Sequence, residues 1–273
     1  MKWRRGEWTN PREKPERTLR EIIPLPISPP APMLNIIHET NDLLVVNKPA
    51  GLVCHPTKGD ALSSLISRAR LHLENIGFKG SVHIINRLDR ETSGLILLAT
   101  TPQAASELGK LWEARQPRKL YLAIVHGYVS ADTATIDAPL GRDESSAVAI
   151  KDCVRPDGAA SQTIYRVLRR FHRQNMPFSL LELEPLTGRK HQIRIHLAHI
   201  GHPLVGEKLY AGREDDYLAL VQDRLTDATR KRLIFPCQAL HAARLSFVWR
   251  GREWDFTAPP EPWFQDFIIE SPG

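Results

Sequence analysis

The sequence predicts an α+β domain, a mixed and mostly antiparallel sheet with helices on its faces. Three observations lead there. Strand-like segments outnumber helix-like ones along the 273 residues, and the two kinds do not alternate regularly, which argues against a doubly wound fold. Residues 94–100 (GLILLAT) are apolar throughout, as in a central strand covered on both faces. Residues 179–186 instead alternate, Leu181 and Leu183 against Glu182 and Glu184, as in a strand with one face in solvent.

The elements follow in order. Residues 1–32 read as an arm outside the domain. Its first 20 residues hold seven basic and three acidic side chains. Pro24, Pro26, Pro29, Pro30 and Pro32 then favour an extended spacer. The arm is either a passive tail or a basic strap that adds phosphate contacts. The folded domain is expected over residues 33–273. Residues 42–48 (DLLVVNK) form a buried strand, which Pro49-Ala50-Gly51 breaks as a turn. Asp60 is expected to cap a helix through Leu62, Leu65, Ile66 and Ala69 that closes at Gly77. After the 94–100 strand, Thr101-Pro102 caps and opens a helix with Ala104, Leu108, Leu111 and Trp112 on one face. Residues 120–125 form a strand, and 163–171 pairs with 179–186. Ile193, Leu197 and Ile200 recur at helical spacing, so residues 191–200 form a helix closed by Gly201. Residues 240–249 and 253–257 flank Arg250-Gly251-Arg252 as a hairpin.

Composition narrows the function classes. Apolar residues make up 42% and charged residues 25%, ordinary for a globular domain. No run of 18 apolar residues is present to span a membrane, and the basic start lacks the apolar stretch of a secretory signal. Cys54, Cys153 and Cys237 lie far apart, which fits a reducing, cytoplasmic setting without disulfides. The net charge of +6 suggests a polyanionic partner, but the first 20 residues supply +4 of it and the rest is nearly balanced.

Three segments carry candidate chemistry. In Asn86-Arg87-Leu88-Asp89-Arg90-Glu91-Thr92-Ser93, Asp89 lies between two arginines just before a buried strand. Either arginine turning back keeps its carboxylate ionised. An ionised carboxylate beside a sugar can attack the anomeric carbon; the alternative is a turn aspartate bonded to the N–H of Thr92 or Ser93. In Thr187-Gly188-Arg189-Lys190-His191-Gln192-Ile193-Arg194, a strand passes through a turn into a basic helix N-terminus suited to phosphate. Arg194 falls at the edge of the apolar stripe, where a half-buried guanidinium needs an acidic partner such as Asp89. Tyr121 shares a strand face with Ala123 and Val125, either as a core tyrosine or as a stacking platform for a base. His191, His196, His199 and His202 offer only one pair sharing a helical turn and no acidic third ligand, so no metal is expected.

These segments together resemble the RluA family of RNA pseudouridine synthases. The blocks LLVVNKPAGLVCHP, NRLDRETSGLILLA, RKLYLAIVHG, LTGRKHQIRIHLAHIGHPLVGEKLYA and QALHAARLSF occur in the family's order and span roughly residues 33–260. The resemblance implies a bisected, mostly antiparallel sheet with a central cleft. It implies site-specific conversion of uridine to pseudouridine in tRNA or ribosomal RNA by base flipping, without metal or cofactor, by a monomer that no membrane holds. It makes Asp89, Tyr121 and Arg194 the catalytic residues. Arg87 is implied to fill the space of the flipped nucleotide, and Asn86, Thr92, Arg189, Lys190, His191 and Gln192 to join it in binding substrate. The family usually carries His where Asn86 stands, and asparagine cannot titrate near neutral pH. Two rival classes are an RNA-binding relative without chemistry, suggested by Asn86, and a carboxylate nucleosidase, which would release free uracil. The 32 residues before the core are too few for the S4 module of many relatives.

Overall fold

The computed structural model describes residues 34–56, 64–211 and 214–269. A ten-stranded sheet runs through it. From one edge the order is β1 (Ile36–Glu39), β2 (Leu43–Lys48), β4 (Ser93–Ala99), β11 (Leu240–Trp249), β5 (Arg118–His126), β10 (Met176–Pro185), β9 (Gln162–Arg173) and β6 (Thr133–Asp137). Off this path, β3 (His83–Ile84) pairs with β4 and β12 (Arg252–Thr257) with β11; β7 (Leu140–Arg142) and β8 (Asp152–Val154) form a separate pair.

One seam divides the sheet. All the other pairings are antiparallel, but β4 and β11 touch in parallel over only two positions, His241 opposite Ser93 and Ala242 opposite Gly94. From Arg244 onward β11 pairs with β12 instead. The seam explains Gly94. Its φ is +113°, and a Cβ there would lie 2.3 Å from the Ala242 carbonyl oxygen, so only glycine lets the two backbones approach.

The helices cover both faces. Helix α1 (Leu65–Asn75) buries Leu65, Ile66, Ala69 and Leu73 against Leu44, Val46, Ile96 and Leu98. On the opposite face α2 (Pro102–Glu113) packs Ala104 and Leu108 on Leu43, Val45, Leu95 and Leu97. Strands β2 and β4 are thus clamped between helices, which is why both read as unbroken apolar runs. Beyond the seam, α3 (Gln192–His199) sets Ile193 and Leu197 against Ala123, Val125, Leu181 and Leu183. There too, α6 (Pro262–Ile268) inserts Phe264 and Phe267 beside Ile124, Phe171 and Phe178. Two further helices, α4 (Glu214–Val221) and α5 (Asp227–Leu233), lie between α3 and β11 in sequence.

Some expectations need correction. Helix α1 is capped by the Ser64 hydroxyl, which accepts from the Ser67 N–H at 3.3 Å, and starts later than expected; Asp60 and Leu62 lie outside the described residues. His191 stands before α3 rather than in it, at φ +55°. Strands β1, β3, β6, β7 and β8 and helices α4, α5 and α6 were not anticipated. They are short, and several of the strands lie at edges where little apolar alternation is required. By contrast Thr101 caps α2 as expected, its hydroxyl accepting from the Ala104 N–H at 3.3 Å. Arg250 and Gly251 both take the positive φ that a tight hairpin turn demands. The expected arm, residues 1–32, lies outside the described residues.

Candidate active site

The segment 86–92 is fixed at almost every residue. Asn86 acts as an extra rung of the sheet: its side-chain amide donates to the Leu95 carbonyl at 3.1 Å and accepts from the Leu97 N–H at 2.8 Å. The Leu88 carbonyl accepts from the Cys54 thiol at 3.3 Å. The Arg90 carbonyl accepts from the Gly51 N–H at 2.8 Å and from Lys48 Nζ at 3.1 Å. Glu91 pairs with Lys208 at 2.7 Å, and the Thr92 hydroxyl accepts from Gln238 at 2.6 Å. The backbone N–H of Thr92 bonds the Asp89 backbone carbonyl at 3.2 Å, so this turn is closed by main chain and the Asp89 carboxylate is left to face outward.

Neither neighbouring arginine holds that carboxylate. Arg87 is exposed, and Arg90 donates to the Gly51 carbonyl. The partner is Arg194, whose Nη1 lies 2.9 Å from Asp89 Oδ2. The other guanidinium edge forks onto Glu207 through two bonds of 2.8 Å. His191 Nε2 stands 3.8 Å from Asp89 Oδ1, and its Nδ1 meets the Tyr210 hydroxyl at 2.7 Å. The Tyr210 ring also lies 5.1 Å from the Arg194 guanidinium, a cation–π contact.

Electrostatics follow from this packing. Burial alone raises the Glu207 carboxyl, but Arg194, the Leu209 N–H and Lys208 outweigh it and hold it at about 2. Burial acts against the Arg194 charge, yet Glu207 and Asp89 raise it further, so it stays a cation. Burial and the nearby Arg194 charge keep His191 below its ordinary value, hence neutral at pH 7. Tyr121, part-exposed on β5, has its phenol pushed to about 12 by burial and by the Asp89 carboxylate beside it. Lys48, with no exposed surface, donates to the carbonyls of Pro49, Leu52 and Arg90, and burial lowers it to about 8.

Asp89 and Arg194 therefore meet from the segment before β4 and from helix α3, and Tyr121 on strand β5 lies near enough for the Asp89 charge to act on its phenol. Other expected site residues fall elsewhere. Thr92 is buried and engaged by Gln238. Gln192 is buried with its whole amide in use, accepting from the Thr187 hydroxyl and the Arg189 N–H and donating to Gln162 and Thr163. Neither is open to a substrate, and Asn86 faces the sheet. Arg189 and Lys190 are exposed at the start of α3, with Lys190 paired to Asp152 at 3.0 Å. His196 is buried between Thr163 and the Ala138 carbonyl, and no metal-holding group of three ligands occurs among the described residues. Sequence reading missed Glu207, Lys48, Lys208 and Tyr210. The signal for the charged ones was present, since charges set inside the apolar runs LVGEKLYA and LLVVNK need buried partners; Tyr210 carried none.

Comparison with known proteins bears on family and fold. The family model described as RNA pseudouridylate synthase matches residues 42–199. A protein of Chloroflexus aurantiacus called an uncharacterized RNA pseudouridine synthase is 39% identical over 217 residues, 78% of this chain and 61% of its own length. The ribosomal large subunit pseudouridine synthase D of Pseudomonas aeruginosa is 38% identical over 211 residues, 77% of this chain and 62% of that protein. The chain thus spans about three fifths of the length of such relatives. Human RNA pseudouridylate synthase domain containing 1 superposes with a TM-score of 0.67 at 26% identity, over 85% of this chain and 86% of that structure. A family match over more than half of the sequence, relatives of this identity and a shared fold place the chain in the RNA pseudouridylate synthase family, in its RluA branch.

Proposed function

We propose that this protein isomerises specific uridines to pseudouridine in structured RNA, ribosomal RNA or tRNA, with Asp89 as the reacting carboxylate. The observation that carries the reading is the convergence on Asp89: Arg194 at 2.9 Å on one side and the Tyr121 phenol close enough to feel its charge. The uridine must leave its stack before a carboxylate can reach the glycosidic bond. Arg87, exposed two residues from Asp89, would fill the vacated space. The C1′–N1 bond then breaks with Asp89 assisting, uracil turns within the site, and C1′ bonds to C5. The C5 proton leaves and N1 gains one, so the exchange balances with no co-reactant, metal or cofactor. Tyr121 is a neutral phenol while Asp89 is ionised. Once that carboxylate is consumed in a bond its charge disappears, the phenol's pKa falls, and the phenolate that can take the C5 proton becomes easier to form. Three free cysteines support a reducing compartment as its place of work.

The test is Asp89→Asn on an RNA pool transcribed without pseudouridine. The wild type converts defined uridines and releases no uracil, whereas the variant converts none while RNA affinity stays measurable. Identical modification maps for the two proteins, or free uracil from the wild type, would refute the assignment.

A further inference from the structure

Arg194 stands between two carboxylates and divides itself unequally. Its Nε and Nη2 fork onto Glu207, and only Nη1 reaches Asp89. The Glu207 side chain is fully buried, while that of Asp89 is 32% exposed. The stronger, bidentate contact thus goes to the carboxylate that no substrate can touch. A guanidinium forked onto Asp89 would tie up both of its oxygens and cancel its charge. One N–H from a guanidinium already neutralised elsewhere aims the carboxylate and leaves its charge largely uncompensated.

We propose that Glu207 is a positioning residue: it orients Arg194 and offsets its charge, so that Asp89 is aimed by a single hydrogen bond and keeps the charge it needs to react. The proposal rests on the reading of Asp89 as the reacting carboxylate. Glu207 is itself fixed by the N–H groups of Leu209 at 2.8 Å and Tyr210 at 3.3 Å, so its orientation is set by the chain beyond α3. The other charged and titratable groups around the trio leave this balance to Glu207. Tyr121 and Tyr210 are phenols raised by burial, and His191 is neutral at pH 7. Lys208 is matched by Glu91, Lys190 by Asp152, and Lys48 is enclosed by three carbonyls.

Two variants test it, Glu207→Gln and the double variant Arg194→Gln/Glu207→Gln. Both are assayed against unmodified transcribed ribosomal RNA in single turnover. In Glu207→Gln the whole guanidinium charge falls on Asp89. The rate should drop about 10-fold with RNA affinity unchanged, and Glu207→Asp, which keeps the counter-charge, should recover most of the loss. The double variant leaves no unpaired buried charge, so it remains foldable if the single one is not. It loses one hydrogen bond from a charged donor, so its rate should stay within about 100-fold of wild type. A wild-type rate in Glu207→Gln, or a double variant as inactive as Asp89→Asn, overturns the proposal. Failure of the enzymatic reading shows separately, as wild-type protein that leaves every uridine unchanged.

Discussion

Gly94→Ala attacks the seam on which the site depends. Two effects add. A residue with a side chain at φ +113° is strained by about 1–3 kcal/mol. The new methyl would also lie 2.3 Å from the carbonyl oxygen and 2.5 Å from the nitrogen of Ala242, backbone atoms that cannot swing aside as a side chain can. Such overpacking costs about 1–3 kcal/mol more. The sum, ~4 kcal/mol, is a large part of the 5–15 kcal/mol expected for a domain, roughly a 10 °C fall in Tm. Function should suffer beyond stability. Asp89 belongs to the β4 side of the seam, while Tyr121 and Arg194 belong to the other, so a shift of about 1 Å should slow single-turnover conversion about 100-fold even where the variant is folded. Gly109→Ala is the control, because its Cβ in α2 meets nothing within 4 Å and should stabilise the helix by ~0.5–1 kcal/mol. Thermal melts followed by circular dichroism give the first number and conversion below the transition the second. A Gly94→Ala protein melting within 2 °C of wild type would show that the two strands yield freely at Ala242, and the reasoning would fail.

Three further outcomes are expected. Lys48 has a folded value of about 8 against an ordinary 10.5, so between these pH values the unfolded chain binds more protons and stability rises with pH. Urea titrations should show wild type gaining ~2 kcal/mol relative to Lys48→Met between pH 7.5 and 9.5; a constant difference refutes this. Asn86→Ala strands the Leu97 N–H and the Leu95 carbonyl and should cost ~2 kcal/mol with a slower reaction, whereas unchanged stability would show that the amide is not a rung of the sheet. Deleting residues 1–20, which carry a net +4, should weaken RNA binding and flatten its salt dependence; an unaltered slope makes that segment a passive tail.

Local pattern made much of this fold legible. β2 and β4 are apolar throughout because helices cover both of their faces, β10 alternates because one of its faces meets water, and Thr101-Pro102 opens α2 because it supplies a cap and a pre-set φ. Those signals act over a few residues, so they survive in the sequence. The trio Asp89, Tyr121 and Arg194 was expected from blocks in the family's order, and the structure brings Arg194 onto Asp89.

Tertiary structure alone decided who meets whom. No local rule pairs Ser93 with His241, 148 positions away, and that contact joins the two halves of the sheet. Asp89 lies between two arginines in sequence yet bonds a third. Glu207, a charge in an apolar stretch whose partner the sequence does not name, takes most of that arginine. Thr92 and Gln192, polar and close to the site in sequence, were drawn inward to close the fold. Hydrophobic periodicity specifies which side of an element is buried but not the opposing surface, and a buried charge specifies that it needs a partner but not which one. Chain topology settles both, by bringing remote segments within hydrogen-bond reach.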